Sequence, residues 1–100
     1  MFFAAADKYK YLLDDTNIDV LCIRMRNVPA VDAAGVEALT NIVKRCTKHH
    51  VQVVFSHVNE QPMSVMTKAG LVDTVGKENF CSHIDTALAR AQEIEDSLQA

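Results

Sequence analysis

The chain has 100 residues, of which 49% are hydrophobic and 23% charged, with 3 Gly and 2 Pro. That composition belongs to soluble globular domains and excludes disordered and collagen-like chains. Lys and Arg number 10 against 13 Asp and Glu, a net charge of -3, so no basic field exists to draw nucleic acid.

A chain of this length makes one domain, residues 1–100, which buries only about two thirds of the surface its unfolded form exposes. The first half carries a net charge of +1 and the second -4, pointing to an acidic surface helix in the second half. Cys22, Cys46 and Cys81 are odd in number and far apart in apolar or mixed stretches, which fits a reduced, cytoplasmic setting better than a disulfide framework. No apolar run approaches the roughly 20 residues that span a bilayer, and the start lacks the order of a signal peptide.

In chain order, Met1-Phe2-Phe3 reads as a strand end. Ala4 to Asp14 reads as an amphipathic helix with Ala6, Tyr9, Leu12 and Leu13 on one face. Ile18 to Met25 is apolar on both alternating faces, as expected of a central strand covered on each side. Asp32 can cap a helix from Ala33 to about Lys48, whose Val36, Leu39, Ile42, Val43 and Cys46 would pack on the sheet. Val51 to Phe55 gives a second short strand, and two parallel strands joined through a helix form a right-handed βαβ unit. Pro62 suits the first turn of a short helix carrying Met63, Val65, Met66 and Ala69, with Gly70 as its left-handed stop. Leu71 to Phe80 is a poorly patterned connector with a brief edge strand near Phe80 and Cys81. A final helix opens at Ser82, with Asp85 three residues on as a near capping box, and carries Ile84, Ala87, Leu88, Ala91, Ile94 and Leu98 on one stripe. The alternation defines an α/β domain: a small mixed, mostly parallel sheet flanked by about four helices. Because a helix follows only a stub of strand, a first strand is expected to be missing, leaving a sheet edge that a second copy could cover as a homodimer.

Ligands of such sheets bind beyond the carboxyl ends of the strands, which directs attention to the run from Arg24 to Gly35. Arg24 and Arg26 supply charge, Asn27 and Pro29 shape the approach, and the amides around Asp32, Ala33, Ala34 and Gly35 could face an anion. An ordinary strand-to-helix turn with solvated arginines accounts for the same residues. Cys46 with His49 and His50, and Cys81 with His83, lack the paired spacing of a zinc site. Cys81 is the one candidate nucleophile, although a free cysteine more commonly packs as a small hydrophobe. Met63 and Met66 read as core residues at helical spacing. No phosphate loop or catalytic serine motif is present, so neither an enzyme nor a cofactor is expected.

Taken as a whole, Ile23 to Leu39, reading Ile-Arg-Met-Arg-Asn-Val-Pro-Ala-Val-Asp-Ala-Ala-Gly-Val-Glu-Ala-Leu, resembles the signature stretch of STAS domains (sulfate transporter and anti-sigma factor antagonist) from bacterial SulP transporters. Phe2 to Lys8 resembles the segment entering their first helix, and Gln61-Pro62 through Ala69-Gly70-Leu71 their third helix and its glycine stop. The resemblance implies a regulatory and protein-interaction domain on the cytoplasmic face of the inner membrane. Its partners would be the transmembrane portion of a parent anion transporter and a soluble regulatory protein. In the anti-sigma branch a phosphorylated serine follows the aspartate. Ala33 and Ala34 stand at the matching positions without a hydroxyl, which argues against that switch. A stand-alone antagonist of this type and a sensor binding nucleotide weakly through the same loop are the alternatives.

Overall fold

Four consecutive apolar residues, Val20 to Ile23, lie fully buried in strand β2, Val20–Arg24, with side chains alternating between two covered faces. A computed structural model of the chain describes residues 2–5 and 19–99. Strand β1, Phe2–Ala5, pairs with one side of β2, and β3, Gln52–Ser56, with the other. Strand β4, Phe80–Cys81, closes the described sheet in the order β1-β2-β3-β4. Every pairing among these strands is parallel. Phe55 and Phe80 stack with ring centroids 4.9 Å apart, fastening the short β4 to its neighbour.

The helices are α1, Ala33–Lys48; α2, Glu60–Lys68; α3, Leu71–Val75; and α4, Ile84–Gln99. The period of two along the strands sorts the core into two layers. Leu21, Ile23, Val53 and Phe55 face Leu39, Ile42, Val43 and Cys46 of α1, Met66 of α2, and Leu71 and Val75 of α3. On the other face Val20, Cys22, Val54 and Cys81 meet Ala87 and Ala91 of α4.

Helix α1 has the bounds that its cap and apolar spacing predict. It ends in a complete Schellman motif: His50 N–H donates to the Thr47 carbonyl and Val51 N–H to the Cys46 carbonyl, with His50 left-handed at φ 59. This turn delivers the chain directly into β3, one residue later than the apolar run suggests, because Val51 is still closing the helix end.

Three expectations are corrected. Ala4 and Ala5 belong to β1, where they pair with Ile23 and Arg24, instead of opening a helix; the remainder of that expected helix lies outside the described residues. Leu71 to Phe80 is no loose connector: Gly70, at φ 81, ends α2 and starts α3 at once, and a 3-10 turn over Lys77–Asn79 follows. Asn79, buried in that turn, donates to the Val75 carbonyl and accepts from Arg90 Nε at 2.8 Å, tying the turn to α4. Finally, α4 begins at Ile84, because the His83 carbonyl is the one that accepts from Ala87 N–H.

Candidate functional site: the loop between β2 and α1

The chain leaves β2 at Arg24, and Met25 N–H still donates to the Ser56 carbonyl at 2.9 Å, carrying the pairing one residue beyond the strand. Val28 N–H then closes a turn onto the Met25 carbonyl at 3.0 Å. Val31 drops back into the core, and the Asp32 carboxylate accepts the Gly35 N–H at 2.8 Å, capping α1. The result is an arch over residues 25–32, with its feet in the core and its crown in solvent.

Two side-chain amides hold this arch, one from Asn59 just before α2 and one from Gln61 in its first turn. Asn59 Nδ2 donates to the carbonyls of Val28 at 2.9 Å, Arg26 at 3.2 Å and Met25 at 3.4 Å. Gln61 grips Val31 at both backbone groups, accepting its N–H at 2.7 Å and donating to its carbonyl at 3.0 Å. Asn59 occupies the N-cap position of α2 yet makes no side-chain bond to that helix. Its donor is committed to the arch.

Arg24, Arg26, Asn27, Pro29, Asp32, Ala33 and Ala34 are all exposed, and Gly35 is half-buried. They share one rim, at the carboxyl end of β2. Neither Arg24 nor Arg26 has an ion-pair partner among the described residues. Gly35 is needed for close approach: a Cβ there would lie 2.7 Å from Val31 Cγ1. Sequence reasoning missed the roles of Asn59 and Gln61. An Asn before a helix looks like a cap, and bonds spanning some 30 residues leave no local spacing to read.

A shallow cleft of about 220 Å³ opens at the same end of the sheet, lined by His57, Val58, Met63, Phe80, Cys81 and Ser82. Met66 is fully buried, as expected, but Met63 is only half-buried and lines this cleft. The Cys81 thiol is pushed up by burial, as are those of Cys22 and Cys46, each to about 11. All three therefore stay protonated near neutrality, the state opposite to an activated nucleophile. Among the described residues no three His, Cys, Asp or Glu side chains gather as metal ligands. The described strands follow chain order without reversal, so they form no switch-point crevice of the kind that holds dinucleotides.

A small parallel sheet layered between helices, with a pinned and exposed arch at its carboxyl rim, defines an α/β domain that presents an ordered surface loop. The chain belongs to the STAS domain family, whose model matches residues 1–87. Among curated proteins it is similar to the chloroplastic sulfate transporter 4.1 of Arabidopsis thaliana, at 28% identity over 85 residues. That match takes in 84% of this chain but 12% of the relative, so the chain spans only a small part of the transporter it matches. Among solved structures it is similar to a sulfate transporter family protein from Wolinella succinogenes, with TM-score 0.83, 28% identity, and coverage of 94% of this chain and 86% of that one. The SulP transporter STAS domain from Vibrio cholerae shares the fold, with TM-score 0.82 at 24% identity over 95% of this chain and 84% of that one.

Proposed function

We propose that this chain is the regulatory and protein-interaction domain of a SulP-type anion transporter, held at the cytoplasmic face of the membrane and docking partners through the arch from Arg24 to Gly35. The observation that carries the reading is the fixing of an exposed loop by Asn59 and Gln61. A solvent-facing loop whose carbonyls are already held loses less freedom on binding, which favours a recognition surface. The names of its relatives supply the transporter, and the transmembrane portion of the same protein is the first partner, with a soluble regulator as the second. Ala33 and Ala34 offer no hydroxyl, so regulation at this arch works by contact and not by phosphoryl transfer to it. No catalytic step is assigned to the chain.

The test is an amide NMR titration of the 100-residue chain with the transmembrane portion of a SulP transporter in nanodiscs. Shifts are expected to concentrate in residues 24–35 and at Asn59 and Gln61. Movement confined to α4 or to the amino ends of the strands would overturn the assignment. Guanine and adenine nucleotides added to the same sample test the sensor alternative, which predicts saturable shifts at Arg24 and Arg26.

A further inference from the structure

We propose that the carboxyl end of α1 is a contact surface for anionic lipid headgroups, an inference that rests on the transporter-attached reading above. The outward side of the last two turns carries Lys44, Arg45 and Lys48, and His49 and His50 continue the polar run past the helix end; all five are exposed. No Asp or Glu occurs between Glu37 and Glu60 in the sequence. None of the three cations has an ion-pair partner among the described residues.

Helix stability alone does not call for this clustering. Cations complement the helix dipole only within the last turn. Lys44 and Lys48, four residues apart, repel each other along the same ridge. Arg45 and Lys48 lie in that last turn and complement the dipole, whereas Lys44 lies before it and adds charge for which the helix has no local use.

The chemistry of the patch selects its partner. Ile42, Val43 and Cys46 of the same turns face the core and are buried, leaving the outer side without an apolar residue. Protein interfaces are built around a dehydrated apolar centre, which this surface lacks. An extended anionic surface needs no such centre, and each Lys or Arg near it strengthens attachment roughly fivefold. Three cations together give roughly a hundredfold, modest for a free protein but sufficient for a domain already tethered beside a bilayer. Helix α1 carries Lys44, Arg45 and Lys48 against the single acid Glu37, whereas α4, across the sheet, carries Asp85, Glu93, Glu95 and Asp96 against the single cation Arg90. Charge therefore orients the domain, turning α1 toward the lipid and α4 away. The arch sits at the opposite end of α1, about 24 Å away for 16 residues, so both surfaces can be occupied together.

Co-sedimentation of the 100-residue chain with phosphatidylcholine vesicles, with and without phosphatidylserine, tests this at low and at physiological ionic strength. Partition is expected to favour the anionic vesicles and to weaken with salt. Lys48→Gln should lower it roughly fivefold and the triple variant Lys44→Gln, Arg45→Gln, Lys48→Gln roughly a hundredfold. Lys68→Gln, on α2, should leave it unchanged, with circular dichroism confirming that each variant is folded. Equal partition to both vesicles, or equal loss from Lys68→Gln and Lys48→Gln, would overturn the proposal. So would displacement by soluble glycerophosphoserine, which would mark a pocket for a free phosphate. The assay contains no transporter, so absence of partition leaves the arch titration untouched, and a silent arch leaves the partition untouched.

Discussion

Replacing Asn59 by Asp separates two roles that the same residue could play. As an N-cap, Asp is as good as Asn, and its charge suits a helix start; stability would then hold or rise. In the structure the side chain caps nothing, and its amide hydrogens are shared among three carbonyls of the arch, one at 2.9 Å and two at 3.2 and 3.4 Å. Only the first is a full-strength bond, so removing the amide in Asn59→Ala is expected to lose about 1 kcal/mol. Asn59→Asp does more, because it places a carboxylate against three carbonyl oxygens, and a total loss of about 2 kcal/mol is expected. For a domain of this size that lowers Tm by roughly 8–16 °C. The carbonyls favour the protonated form of the new carboxyl, raising its folded-state pKa. Its stabilising contribution is then present below the unfolded value of about 3.9 and lost as pH rises. Urea unfolding of the Asn59→Asp variant at neutral and at acid pH should therefore show a deficit that shrinks on acidification. A variant as stable as the parent at neutral pH would refute the pinned arch and restore Asn59 to a capping role.

The other predictions concern close packing and the buried thiols. Gly35→Ala, which in an open helix gains about 1 kcal/mol, is expected instead to lose about 1 kcal/mol in denaturant unfolding. Its Cβ meets Val31 Cγ1 at 2.7 Å, and Gln61 holds the Val31 backbone in place; a net gain would show that the loop yields freely. Burial raises the thiols of Cys22 and Cys46 from 9.0 to about 11. The native state thus holds those protons more tightly than the unfolded chain, and stability should be flat through neutrality and fall between about pH 9 and 11. Alkylation of the native protein near pH 8 should be slow and should follow global unfolding, whereas rapid modification of Cys22 would contradict its burial.

Local signals carried the central part of the fold. The apolar run at Val20 to Ile23 required a strand covered on both faces, and Asp32 together with the spacing of Leu39, Ile42, Val43 and Cys46 fixed α1 at both ends. Gly70 announced the end of α2 because its left-handed backbone suits glycine. What stayed hidden was either short or long-range. Helix α3 has 5 residues, too few for a periodic pattern, and it is held by contacts to neighbouring elements more than by its own propensity. Ala4 and Ala5, good helix formers, lie in β1 because pairing with Ile23 and Arg24 overrides their preference. The candidate rim was legible as a sequence of exposed polar and small residues after a buried strand. Its rigidity was not, because Asn59 and Gln61 act through backbone carbonyls whose positions exist only once β2 and β3 are side by side.

The brevity of β4 limits how copies of this protein can assemble. Two residues present too few amide and carbonyl groups for a further strand to latch on. Should two molecules join across β1, the composite ribbon would end on both outer sides in such a stub, and growth would stop at the pair. Among the described strands, an edge of that kind offers no template for an open-ended fibre.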